Sequence, residues 1–184
     1  MPGDRVYDVL STAESVERAF AGLERIKKHI VWWDDGSELP LRLTSGNVAM
    51  SSAWNGRIYS VVRDRGEKLA VIWDGQIWEM GFWAIPKGSE HRDMALHFLS
   101  FATDAQRLAD QSKQIAYGLV RQSAMALVID DVRPHLPTAE SNRHKALRLD
   151  DTWWIRPQDA METRFAAWVE QQPWRYDFDK PDGN

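Results

Sequence analysis

From Val16 onward the apolar residues Val16, Phe20, Leu23 and Ile30 recur at helical spacing, with Glu17, Arg18, Glu24, Arg25 and Lys28 between them. This predicts an amphipathic helix, opened by the capping-box pattern Ser11-Thr-Ala-Glu14. The run HIVWW (29–33) reads as a short buried strand closed by Asp34-Asp35-Gly36. A short helix through Leu39, Leu41 and Leu43 ends near Gly46, and NVAMSSAW (47–54) is a second strand, broken by Asn55-Gly56. GRIYSVVRDRG (56–66) predicts a helix ended by Gly66. KLAVIW (68–73) predicts a third strand and Ile77 to Ile85 a fourth, stopped by Pro86-Lys87-Gly88. Two helices follow, over 90–103 and 104–116, the second with Asp104 as a favourable cap. Between Tyr117 and Asp151 the pattern weakens. TWWIRP then precedes a final amphipathic helix holding Met161, Phe165 and Val169, and RYDFDKPDGN reads as a frayed tail. Alternation through residue 85, with helices after it, is an α/β layout with mostly parallel or mixed strands.

Composition narrows the function. The 184 residues suit one domain or an incomplete two-lobed protein, and an apolar share of 43% supports an ordinary core. A net charge of -4 argues against a nucleic-acid surface, which needs clustered Lys and Arg. No apolar run approaches the roughly 20 residues of a membrane span. MPGDRVYDVL lacks a basic region followed by an apolar one, so it does not read as a secretory leader. The chain has no cysteine, which removes disulfides, thiolate chemistry and Cys-based zinc sites. Its ten tryptophans stand out, because indole is favoured where an apolar body meets a polar edge.

No catalytic signature emerges. The histidines at 29, 91, 97, 135 and 144 lack the i, i+4 pairing of a helical zinc site, and Ser51 and Ser52 sit in no G-x-S-x-G elbow. Gly56, Gly66 and Gly75 form no phosphate-cradling loop, and the pairs Asp34/Asp35 and Asp130/Asp131 read as turn residues. The sequence calls for no cofactor and points away from an enzyme. AWNGRIY (53–59) says more: a strand running into Asn-Gly and a helix leaves Trp54 at the carboxyl end of a sheet, where open α/β folds bind ligands. The alternative is that Trp54 packs on its own helix through Ile58 or Val62. Glu79 raises a parallel question, for it sits within the apolar run WDGQIWEMGFWAIPKG (73–88).

Two long blocks, VERAFAGLERIKKHIVWWDDGSELPLRLTSGNVAMSSAWNGRIYSVV and VIWDGQIWEMGFWAIPKGSEHRDMALHFLSFATDAQRLADQSKQIAYG, resemble the extracytoplasmic solute-binding proteins of ABC transporters, of the spermidine/putrescine type. The resemblance extends more weakly through DTWWIRPQDAMETRFAAWV and so covers nearly the whole chain. It implies an α/β fold that is part of a two-lobed periplasmic-binding-protein-like architecture (type II), with the N-terminal lobe largely missing. Residues 1–76 would be part of the second lobe, 77–86 a hinge-crossing strand, and 87–184 helices completing the first lobe and bracing the hinge. It further implies a small cationic ligand such as a polyamine, an ABC permease of the inner membrane as partner, and a periplasmic location for the full-length family.

By the same resemblance Trp54 matches the family's ligand-stacking tryptophan in the W-N-G turn, and Tyr117 matches a second wall of the aromatic box. The family's acidic hinge residue falls at Gly81, a departure. Glu79, two positions earlier, would point to the same strand face and serve as the counter-ion. Trp78 and Trp154 are weaker ligand candidates. A second departure is GLVRQ after Tyr117, where the family has Pro-Thr-Asn. Arg121 there would repel an amine and attract a carboxylate, which opens the way to an amino acid or another amine-bearing anion. Two rivals stand beside this reading. One is a Trp-rich carbohydrate-active enzyme with Asp74 and Glu79 as acid and base. The other is a truncated, non-binding remnant that associates with itself or with a separately encoded lobe through exposed strand edges.

Overall fold

Thr12 opens the longest described helix: its hydroxyl accepts the N–H of Ser15 at 3.2 Å, satisfying one of the donors that a helix start leaves over. In the computed structural model, which describes residues 5–155 and 158–171, the helices are α1 (Val6–Leu10), α2 (Ala13–Ile26), α3 (Leu39–Thr44), α4 (Asn55–Arg65), α5 (Arg92–Ala102), α6 (Ala105–Gln114), α7 (Gln122–Met125), α8 (Asp151–Trp154) and α9 (Gln158–Glu170). Two short strands complete the set, β1 (Ile77–Trp78) and β2 (Leu147–Arg148), which pair in parallel.

The helices fall where local signals placed them. Asp104 caps α6 by accepting the N–H groups of Gln106 and Arg107. Gly66 ends α4 in the left-handed conformation, φ 68°, with its N–H on the Val62 carbonyl, the glycine-terminated helix end. The expected strands differ. Residues 30–33, 47–54 and 68–73 carry no strand, and of 77–85 only Ile77 and Trp78 enter a ladder. A helix closes its hydrogen bonds within itself, whereas a strand exists only beside a neighbour. Among the described residues, Leu147–Arg148 is the one neighbour supplied. The C-terminal stretch expected as a tail lies outside the described residues.

The chain divides into two compact units. The first joins residues 1–34 to 149–184. Its interior is aromatic: the Trp32 ring meets Phe165 and Trp168 edge-on at 5.5 and 6.0 Å, and Phe20 meets Trp168 at 6.3 Å. Lys27 is buried in this cluster. Its ammonium donates to the Trp168 carbonyl at 2.6 Å and lies 4.6 Å from the centre of the same residue's ring, so the buried charge keeps polar partners.

The second unit, 35–148, holds a core of Tyr59, Ala109, Ala116, Val128, Val132, Leu136 and Ala139, with Leu119 and Met125 packed against it. Much of that core comes from a segment with little regular structure, so side chains satisfy the backbone there. Arg133 donates to the carbonyls of Met125 and Val128, and Asn142 to those of Pro134 and Leu136. Gln76 reaches Pro137 and Asn142 in the same way, and the Leu147 N–H meets the Gln76 carbonyl beside the strand pair. These bonds fix the loop against which α4 begins.

Candidate functional site

Trp54 is the N-cap of α4, not the end of a strand as its sequence context implied. Indole has no acceptor, so the cap residue provides no side-chain bond to the helix start. The next residue makes the tertiary link: the Asn55 amide donates to the Ala116 carbonyl and, at 3.3 Å, to the His135 carbonyl. Gly56 follows, buried beneath the ring of Tyr117. A Cβ on Gly56 would stand 2.6 Å from Tyr117 Cε1 and 2.8 Å from Ile115 Cγ1. Trp54 rests in the same manner on Gly36, where a Cβ would stand 2.2 Å from its Cζ3. The two rings thus flank the first turn of α4, each against a bare glycine backbone. Trp54 is 48% exposed and Tyr117 42%, so both keep apolar surface open to a ligand.

A cation already occupies part of this surface. The Arg57 guanidinium lies 5.6 Å from the centre of the Trp54 ring, the i, i+3 neighbour that a helical start brings alongside. Asp35 stands near it. The Ser37 N–H and hydroxyl, with a smaller contribution from the positive charge of Arg57, hold the Asp35 carboxyl below the usual carboxylate range. The arrangement offers aromatic faces and a guanidinium, which suits binding. Among the described residues no group of three or more His, Asp or Glu is placed to hold a metal.

The other sequence candidates sit on other elements. Trp78 is half-buried on β1, with the Arg148 guanidinium of the adjacent strand 5.6 Å from its ring. Glu79 follows the last strand residue, so the strand-face argument does not reach it; it is exposed and forms no ion pair among the described residues. Trp154 belongs to the first unit, where it meets Trp153 edge-on at 5.0 Å. Its indole N–H is buried with no hydrogen-bond partner among the described residues. Arg121 is exposed at the N-cap of α7. Asp74, the proposed partner of Glu79 in a glycosidase, pairs at the surface with Lys145 at 3.2 Å. Both carboxyls are exposed. Sequence reasoning passed over Gly36, Asn55 and Arg57. The signal for Arg57 was its spacing from Trp54 at a helix start, whereas the roles of Gly36 and Asn55 depend on contacts far apart in sequence.

Comparison with known proteins places the chain in a family. Residues 3–138 match the family model for "Bacterial extracellular solute-binding protein". Over 164 residues the chain is 39% identical to the gamma-aminobutyric acid-binding protein of Pseudomonas aeruginosa, covering 89% of this chain and 46% of that protein. Among solved structures, an ABC transporter substrate-binding protein from Bradyrhizobium japonicum USDA 110 matches with a TM-score of 0.72 at 32% identity, covering 84% of this chain and 49% of the other. The PBP MotA from A. tumefaciens B6, in complex with glucopine, matches at 0.75 and 25% identity, covering 91% and 53%. The chain spans about half the length of these relatives. Its fold class is that of part of a periplasmic binding protein, as the sequence resemblance implied. The spermidine/putrescine subtype within that resemblance is not singled out, since the curated relative is a gamma-aminobutyric acid-binding protein. This chain belongs to the bacterial extracellular solute-binding protein family.

Proposed function

We propose that the chain is the C-terminal portion of the solute-binding component of an ABC importer, working in the periplasm with an inner-membrane permease and catalysing no reaction. Under this reading residues 1–76 contribute to the second lobe, 77–86 cross the hinge, and 87–184 complete the first lobe and brace the hinge. The ligand is a small amine that also carries a carboxylate, of the γ-aminobutyrate kind. Trp54 and Tyr117 provide the walls, with Trp78 as a further contact.

One observation carries the choice of ligand: the Arg57 guanidinium beside the Trp54 ring. An incoming ammonium would have to share that ring with a charge already there. A carboxylate would instead gain charge-assisted hydrogen bonds from the guanidinium, in a geometry suited to two parallel contacts. The binding of gamma-aminobutyric acid by a relative 39% identical to this chain supports the same class. A second reading, a diamine, is favoured by Glu79, which is exposed and outside any ion pair among the described residues.

Binding by this chain alone is expected to be weak, because a small ligand needs most of its surface covered. The test is therefore a nitrogen-15 NMR titration at millimolar ligand, following the indole N–H signals of the ten tryptophans. A Trp54→Phe variant assigns the Trp54 signal. γ-Aminobutyrate should shift that signal and putrescine should leave it in place. The reverse ranking establishes the diamine reading, and an unmoved Trp54 signal with both ligands overturns the site.

A further inference from the structure

Glycines are usually explained by backbone angles, and several here are: Gly46, Gly66, Gly75 and Gly88 all have positive φ. Gly36 and Gly56 do not belong to that group. Both are buried, and both could be replaced by alanine as far as their own backbones are concerned. At Gly56, inside a helix, propensity alone favours alanine.

What excludes a side chain is an aromatic ring at Gly36, and at Gly56 an aromatic ring together with the Ile115 side chain. At Gly36 a Cβ would stand 2.2 Å from Cζ3 and 2.7 Å from Cε3 of Trp54, and at Gly56 it would stand 2.6 Å from Cε1 and 3.0 Å from Cζ of Tyr117. Ordinary contact begins near 3.4 Å, so either methyl would have to push its ring away.

We infer that Gly36 and Gly56 are positioning residues for the aromatic pair: their bare Cα atoms seat Trp54 and Tyr117 and thereby set the width available between ring and ligand. The inference deepens the proposed binding function and rests on it for its meaning. The placement of the rings can nevertheless be measured without any ligand. Gly36 lies in a turn pinned by the Ser37 N–H on the Asp35 carboxylate at 2.7 Å, so the turn resists yielding in place of the ring. Gly56 is held at the start of α4 by the two carbonyl bonds of Asn55 beside it. The seats are stiff, and the half-exposed rings are the parts able to move.

The experiment compares Gly36→Ala, Trp54→Ala and the double variant in the full chain. Without ligand, Gly36→Ala should move the Trp54 indole N–H signal and the cross-relaxation between the ring and residue 36. With γ-aminobutyrate, Gly36→Ala should weaken binding about threefold or more. Added to Trp54→Ala it should change nothing further, because the ring it displaces is gone. If Gly36→Ala alone fails to fold, the double variant should melt with Trp54→Ala, since removing the indole removes the clash. An unmoved Trp54 signal, equal losses of affinity in both backgrounds, or a double variant that remains unfolded would each overturn the inference. Should the unmodified chain not respond to γ-aminobutyrate, the proposed ligand fails, and the ligand-free ring signal then decides the inference by itself.

Discussion

The side-chain amide of Asn55 donates to the backbone carbonyl of Ala116, joining the first residue of α4 to the residue just before Tyr117. With its second bond, to His135, this one side chain links three parts of the second unit distant in sequence. Asn55→Ala should cost about 1–3 kcal/mol, the range for stranding part-buried hydrogen-bond partners. Asn55→Asp should cost more, since it sets a carboxylate against two carbonyl oxygens. Urea unfolding curves read both, and a variant within about 0.5 kcal/mol of the parent would show the links to be dispensable.

Arg57 carries the choice between ligands. Arg57→Gln keeps a polar side chain and removes the charge beside Trp54. Affinity for γ-aminobutyrate should fall about tenfold or more, in line with losing a charge-assisted hydrogen bond. Putrescine should bind no worse than before. A parallel loss with both ligands in an NMR titration would mean that Arg57 supports the site without reading the carboxylate.

In the first unit, Arg164 places two N–H groups on the Glu17 carboxylate, each at 2.8 Å, with its guanidinium 4.0 Å from the Phe20 ring. The hydrogen bonds from Arg164, followed by its charge, hold the Glu17 carboxyl below its usual pKa in the folded state. A carboxyl with a lowered folded value stabilises the fold fully above its unfolded value, roughly pH 4.3. That contribution disappears as the pH falls through the lowered folded value. Melting temperature should accordingly drop on acidification below about pH 4, and Glu17→Gln should make that drop shallower. Identical acid profiles for the two proteins would contradict the assignment. Because Glu17 is exposed, salt should weaken the effect.

Helix α5 has no buried residue although it carries Met94, Leu96, Phe98 and Phe101. Beside it Phe82 is 79% exposed and Trp83 67%, with the Trp83 ring edge-on to Phe98 at 5.6 Å. Apolar clusters of this kind are seldom left in water. The isolated chain should therefore self-associate, with an apparent mass in light scattering that rises with concentration. Trp83→Lys combined with Phe98→Glu should shift the population toward monomer. A concentration-independent monomeric mass in the unmodified chain would refute this.

What the sequence revealed, and what it hid, follows the range of the interactions involved. Helices α2, α4, α5, α6 and α9 were legible because their caps and apolar spacing lie within a dozen residues, as Thr12, Gly66 and Asp104 illustrate. The strands were not. KLAVIW has the composition of a strand, but its ladder partner has to come from elsewhere, and none of the described residues provides one. The region after Tyr117 was opaque for a related reason: Arg133 and Asn142 hold it with side-chain bonds that follow no period. The aromatic pair was legible only through resemblance, and its supports at Gly36 and Asn55 not at all, since each is defined by a residue far along the chain.

The bond from Lys27 to the Trp168 carbonyl spans 141 residues, and it closes a unit assembled from both flanks of the described chain. On the ribosome, α2 emerges long before α9. At about 5–20 residues per second, the ammonium of Lys27 and the ring of Phe20 wait on the order of ten seconds for the tryptophan that covers them. During that interval the amphipathic face of α2 is bare while the whole of residues 35–148 is being made. Nascent-chain chaperones would meet that face uncovered, and shortened translation products ending before α9 should be far more prone to clumping than the finished polypeptide.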